Sequence, residues 1–142
     1  MKPTWNETWF NICKEFARRG SCLRLQTAAV IINERNRIIG AGYNGAPHGM
    51  PECISVGCLM EDNHCRRSIH SERNALLQAG DKAKGQTIYI LHKPCIQCTN
   101  DIIQAEIAKV YYLNDYQSDK IEKDTVLELF TQAKIICKKV NL

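Results

Sequence analysis

No apolar run in this chain approaches the roughly 20 residues that a bilayer-spanning helix needs. The opening Met1-Lys2-Pro3-Thr4-Trp5-Asn6 has no apolar export-signal core. Together these absences argue against a membrane protein and a secreted one, and the expected setting is the cytoplasm. No block of five like charges occurs, and a net charge of +4 from 19 basic and 15 acidic residues is mild, so charge alone demands no nucleic-acid partner. Aromatics are scarce, at two Trp, five Tyr and three Phe. Several fall in core-type stripes, which leaves few to line a groove for single-stranded nucleic acid. Internal repeats, low-complexity tracts and linkers are also lacking.

What is present fits one globular domain spanning residues 1–142, long enough to bury a core without staples. Eight cysteines are many for that length. A disulfide scaffold would explain them in a secreted chain, but without an export signal the compartment is reducing, and clustered cysteines then read as metal ligands. The Asn6-Glu7-Thr8 triplet matches the glycosylation pattern by chance.

Hydrophobic spacing predicts a first helix over residues 4–18, opened by a Thr4/Glu7 capping box and closed before Gly20. Trp5, Trp9, Ile12, Cys13 and Phe16 form its expected core stripe. Two β-branched runs, 27–33 and 37–43, are separated by three residues and predict a hairpin. Residues 44–69 read as irregular, punctuated by Gly45, Pro47, Gly49, Pro51 and Gly57. A helix follows over 70–79 with Ala75, Leu76 and Ala79 inward, then a strand over 86–91 and a helix over 94–105 with Pro94 near its first turn. A strand over 109–113, a helix over 122–133 and a strand over 134–138 complete the chain. Helices alternating with strands after one hairpin predict an α/β sandwich with a mixed sheet.

The chemistry concentrates in His70-Ser71-Glu72 and Pro94-Cys95-Ile96-Gln97-Cys98. One histidine and two cysteines form a three-ligand zinc set that leaves a fourth position open for water. Cys95 and Cys98, three apart at a helix start, project to one side, and the free N–H groups there favour thiolates. Glu72, not itself a ligand, is placed to shuttle a proton between the water, a ring nitrogen and a departing amino group. A structural zinc knuckle is the bland alternative for a lone Cys-x-x-Cys. The added His-x-Glu weighs against it, and the combination is the zinc nucleobase-deaminase signature.

The loop Gly42-Tyr43-Asn44-Gly45-Ala46-Pro47-His48-Gly49 narrows the match. With it, the sequence resembles the deoxycytidylate (dCMP) deaminase family, most clearly from Cys22 to Tyr116. The resemblance implies a cytidine-deaminase-like three-layer sandwich, a five-stranded mixed sheet flanked by helices, usually assembled as a homohexamer. It implies hydrolysis of dCMP to dUMP and ammonia, supplying thymidylate synthesis. By position, it makes His70, Cys95 and Cys98 the zinc ligands and Glu72 the acid/base. Asn44, Arg24 and Tyr116 become substrate contacts, the last two near the phosphate. The loop residues Tyr43, Asn44, Gly45, Pro47 and Gly49 become part of a response to dCTP as activator and dTTP as inhibitor, with Mg2+ accompanying such nucleotides.

Three positions depart from the family pattern. Ser71 replaces alanine, Thr27-Ala28 replace Val-Gly beside the substrate wall, and Glu106 replaces glycine after the second zinc helix. The last two bear on substrate geometry and effector response, and an altered pocket would also admit dCTP. The resemblance further implies a second, structural zinc that staples residues 44–69, with Cys22, Cys53 and Cys65 as ligands and Cys58 or His64 as the fourth. Cys13 and Cys137 read as core. His48 and His92 are assigned no role. Readings from other classes are an idle zinc scaffold or DNA-uptake accessory protein, against which intact Glu72 argues, and a nucleic-acid-editing deaminase.

Overall fold

Five strands form one mixed sheet in the computed structural model, which describes residues 1–22, 24–62, 64–115 and 120–142 and the side chains of these except His64, Lys120 and Ile121. In chain order the elements are α1 (Trp5–Ala17), β1 (Ala28–Ile32), β2 (Ile38–Tyr43), α2 (Cys53–Val56), β3 (Met60–Glu61), β4 (His64–Cys65), α3 (Ser71–Ala79), a 3-10 turn (Gly80–Ala83), β5 (Thr87–His92), α4 (Ile96–Gln104), β6 (Lys109–Asn114), α5 (Lys120–Gln132) and β7 (Ile136–Lys139). The sheet order is β2-β1-β5-β6-β7. β1 runs antiparallel to both neighbours, whereas β5, β6 and β7 are mutually parallel.

The three layers follow from the strand alternation. All five residues of β1 are buried, because both sheet faces are covered. Ala29 and Ile31 pack with Ala75, Ala79, Ile102, Val126 and Phe130, placing α3, α4 and α5 on one face. Ala28, Val30 and Ile32 pack with Trp9, Phe10, Cys13 and Ala17, placing α1 on the other. The Thr4/Glu7 capping box forms as the sequence predicts. The core stripe of α1 forms in part, with Trp9 and Cys13 buried and Ile12 packed against them. Phe10 is fully buried while Trp5 and Phe16 are exposed, and Trp5 instead stacks on Trp9 with ring centroids 5.2 Å apart. The helix turns its Trp9–Phe10–Cys13–Ala17 side to the sheet.

The segment 44–69 departs most from its expected irregularity. It contains the short helix α2 and the two-residue hairpin β3/β4, elements too short for any periodicity to reveal. The last strand begins at Ile136, two residues later than the sequence predicts, because Lys134 adopts a left-handed φ of 59° that ends the preceding turn. Two glycines bring α3 onto β2. An ideal Cβ at Gly42 would stand 2.6 Å from Asn74 Cβ and 2.7 Å from the Ser71 carbonyl, and one at Gly40 would strike the Ala75 carbonyl. The N-terminus of α3 therefore sits over the C-terminal end of β2.

Candidate metal centre and catalytic site

His70 and Cys95 occupy equivalent places. Each is the extended N-cap residue of its helix, His70 before α3 and Cys95 before α4. The helices thus start one residue after the predicted start at His70 and two after that at Pro94, which lies outside the first turn. The difference matters for geometry. Residues two apart in a helix do not share a flank. Because His70 is extended, its ring leaves sideways while Glu72 remains in the first turn, and both can face the space between the two helix ends. Cys95 Sγ accepts the backbone N–H of Cys98 at 3.4 Å, so the sulfur itself caps α4.

The ligand atoms of His70, Cys95 and Cys98 lie within 4.8 Å of one another. His70 Nδ1 is 3.2 Å from Cys98 Sγ and 3.5 Å from Cys95 Sγ. Two ligands about 2.1 and 2.3 Å from a tetrahedral zinc stand about 3.6 Å apart, so this spacing fits the ion. The electrostatics agree. Hydrogen bonding from Cys98, helped by His70 and the Cys98 N–H, brings the Cys95 thiol down to about 4. Cys98 is pushed up by sharing its proton with Cys95 and by burial. His70 is raised, chiefly by its hydrogen bond with Cys95. Soft donors already sharing protons around a common centre are the donor set that a divalent cation satisfies by displacing those protons.

Glu72 is buried beneath this set, 5% exposed, and burial pushes its carboxyl above the ordinary range. Its charge raises both His70 and Cys98, so it faces the ligand cluster. Ser71, which sequence reading passes over as a tolerated alanine replacement, is fully buried and donates its hydroxyl to Glu72 Oε1 at 2.6 Å. Arg73 is also missed by sequence reading. Its Nε and Nη2 each stand 3.0 Å from Asp101 Oδ2, tying the first turn of α3 to α4. Nothing in the spacing of positions 73 and 101 signals that pair.

The loop after β2 is locked to the same site. Gly45 and Ile69 exchange backbone hydrogen bonds at 3.2 and 2.7 Å, fixing the chain just before His70. Asn74 Nδ2 donates to the Tyr43 carbonyl at 2.9 Å. Asn44, expected to contact substrate, is buried and works first as a clamp. Its Oδ1 accepts the Thr27 N–H at 2.9 Å and its Nδ2 donates to the Leu25 carbonyl. Pro47 begins a turn whose carbonyl accepts from the Met50 N–H, and Gly49 has a left-handed φ of 81°. Arg24 Nη1 approaches the Met60 thioether at 3.8 Å. Tyr116 lies outside the described residues.

A second cysteine group forms, with membership different from that expected. Cys53, Cys58 and Cys65 place their sulfurs within 4.8 Å, and Cys53 and Cys65 Sγ are 3.5 Å apart. Cys22, expected as a ligand, is not in this group among the described residues, whereas Cys58, one of the two candidates for the fourth place, is. The His64 side chain is outside the described set. Burial raises Cys53 to about 12. Burial alone would raise Cys65 too, but the Ser68 and Arg67 N–H groups outweigh it and bring that thiol to about 7. Glu106 is also explained. It sits past the end of α4 with φ 60°, its N–H on the Ile103 carbonyl, where a glycine closes a helix without strain. Its departure from glycine therefore bears on helix termination.

A three-layer sandwich with a His-Cys-Cys centre between two helix N-termini and a buried glutamate beside it defines a zinc-dependent deaminase. Residues 3–114 match the model of the cytidine and deoxycytidylate deaminase zinc-binding region, and the chain belongs to that family. It is 42% identical over 142 positions to ComE operon protein 2 of Bacillus subtilis, covering 98% of this chain and 72% of that protein. It is 33% identical over 128 positions to deoxycytidylate deaminase of Saccharomyces cerevisiae, covering 84% of this chain and 41% of the yeast enzyme. The crystal structure of dCMP deaminase from cyanophage S-TIM5 in complex with dCMP and dUMP superposes with a TM-score of 0.81 at 27% identity, covering 99% of both chains. Among the described residues no helix is long and apolar enough to cross a membrane.

Proposed function

We propose that the chain is a dCMP deaminase, one catalytic domain over residues 1–142 that converts dCMP and water to dUMP and ammonia. The observation that carries the reading is Glu72, buried and facing the convergent His70, Cys95 and Cys98. His70, Cys95 and Cys98 would hold a zinc ion, which would supply a water acidified to a pKa of about 7. Glu72 would take a proton from the attacking water and deliver it to N3 of the cytosine ring. As the water oxygen bonded to C4, Glu72 would carry the remaining hydroxyl proton to the amino group; the C4–N4 bond would break as the C4 carbonyl formed, and ammonia would leave. The two helix N-termini, those of α3 and α4, direct N–H groups and positive field into the same space.

The likeness to the S-TIM5 enzyme with its bound nucleotides supports dCMP as the substrate class. Arg24, Asn44 and Tyr116 are assigned to the nucleotide, and the 43–49 loop to an effector response to dCTP or dTTP with Mg2+. Cys53, Cys58 and Cys65 are assigned to a second, structural zinc, with His64 as the fourth ligand. The working assembly is a homohexamer in the cytoplasm. The test is ammonia release from dCMP, dCTP and CMP, with and without dCTP and dTTP as effectors. Glu72→Ala should lose turnover by at least about 10²-fold while keeping its zinc, whereas an idle scaffold would show no turnover in the wild type to lose. Turnover of a polynucleotide but not of free dCMP would shift the reading to nucleic-acid editing, and no turnover of dCTP ends the wider substrate range.

A further inference from the structure

The end of β5 carries a histidine that the catalytic scheme leaves unused. His92 Nδ1 stands 3.0 Å from Thr27 Oγ1. The pair continues the antiparallel register in which Ala29 opposes Ile90. Ile90 and Ala29 belong to the face covered by α3 and α4. By strand alternation Thr27 and His92 share that face, at the strand end where the two helices begin. Only Lys93 and Pro94 separate His92 from the ligand Cys95, at most about 11 Å of chain. The pair therefore lies at the end of the sheet where α3 and α4 begin, on the face those helices cover.

Thr27 also joins His92 to the 43–49 loop. Its N–H holds Asn44 Oδ1 at 2.9 Å, and its carbonyl accepts the Asn44 N–H at 3.3 Å. Thr27 is 7% and Asn44 5% exposed, so both side chains are held in place by packing and hydrogen bonds. Burial lowers His92 below the ordinary imidazole range, which keeps the ring neutral and able to share a proton with the threonine hydroxyl. The His92 ring is only partly buried, unlike Thr27 and Asn44.

Building on the proposed deaminase activity, we infer that His92 is a positioning residue for the nucleotide: through the Thr27 hydroxyl it fixes the wall that Asn44 completes. Its contribution is to substrate binding, with the proton shuttle left to Glu72. The test is steady-state deamination of dCMP by the zinc-loaded wild type, His92→Leu, His92→Asn, Thr27→Val, Thr27→Ser and the Leu/Val double variant, with zinc content and Tm alongside. His92→Leu and Thr27→Val should each raise KM by roughly three- to tenfold, the worth of one neutral hydrogen bond, with kcat and zinc content near wild type. The double variant should be no worse than either single one, because both remove the same bond. His92→Asn and Thr27→Ser, which keep a polar partner, should recover most of the KM. An unaltered KM in His92→Leu, additive effects in the double variant, or a fall in kcat with loss of zinc overturns the inference. Absence of dCMP turnover in the wild type sinks the deaminase proposal and this inference with it. Turnover with an unaltered His92→Leu KM sinks this inference alone.

Discussion

Gly42→Ala measures how closely the catalytic helix must approach the sheet. The new methyl carbon would stand 2.6 Å from Asn74 Cβ, 2.7 Å from the Ser71 carbonyl and 2.8 Å from the Ala75 nitrogen. Carbon atoms settle at about 3.5–4.0 Å, so the first turn of α3 must retreat by about 1 Å. No flexible side-chain end is available to absorb the clash, because two of the three atoms are backbone. Overpacking of this kind costs about 1–3 kcal/mol, which for a chain of this size lowers Tm by roughly 3–12 °C. The functional cost is larger in proportion. Ser71 lies between His70 and Glu72, and the retreat also strains the Asn74 and Gln78 hydrogen bonds to β2. A misplacement near 1 Å costs on the order of 10²-fold in rate. Denaturant and thermal unfolding, zinc content and kcat on dCMP are measured together, with Leu77→Ala, at a position 71% exposed, as the control. A Gly42→Ala protein with unchanged Tm and kcat would show that α3 is not held in close contact with β2.

Glu106→Gly should stabilise the protein by about 1 kcal/mol, because glycine adopts the left-handed φ of 60° without a Cβ penalty and the exposed Lys84 ion pair adds little; a lower Tm would refute this. Zinc analysis should give two ions per chain in the wild type and one in Cys58→Ser, with dCMP turnover reduced far less than in Cys98→Ser. One zinc in both would remove the second site. His92 is held below its unfolded value by burial, so folding favours its neutral form. That contribution is complete above the unfolded pKa of about 6.5 and is lost as pH falls through the window below it. Unfolding free energies taken above and below that value should therefore fall more in the wild type than in His92→Asn.

The fold and the metal centre differ in how much of each can be read without coordinates. The hairpin, the alternation of helices with strands, and the capping box at Thr4 are written in local periodicity and local hydrogen bonding. The same holds for His70, Glu72, Cys95 and Cys98, since two short motifs carry both the donor types and the spacing that zinc chemistry needs. Trp5 and Phe16 mislead because a stripe wide enough for either rotation of α1 leaves the choice to the sheet. The short elements α2, β3 and β4 leave no period to detect, so the grouping of Cys58, and not Cys22, with Cys53 and Cys65 depends on the tertiary course of that loop.

By itself the sequence determined the reagents, one imidazole, two thiols and a carboxyl at positions that begin helices, because ligand chemistry is a property of side chains and their local spacing. Only tertiary structure decided the neighbours that make those reagents work: Ser71 on Glu72, Asp101 on Arg73, Asn44 clamped on Thr27, and Thr27 on His92. Most of these contacts join residues distant along the chain, and they are set by strand register, by the glycine-lined approach of α3 to β2, and by which face each strand turns to the helices.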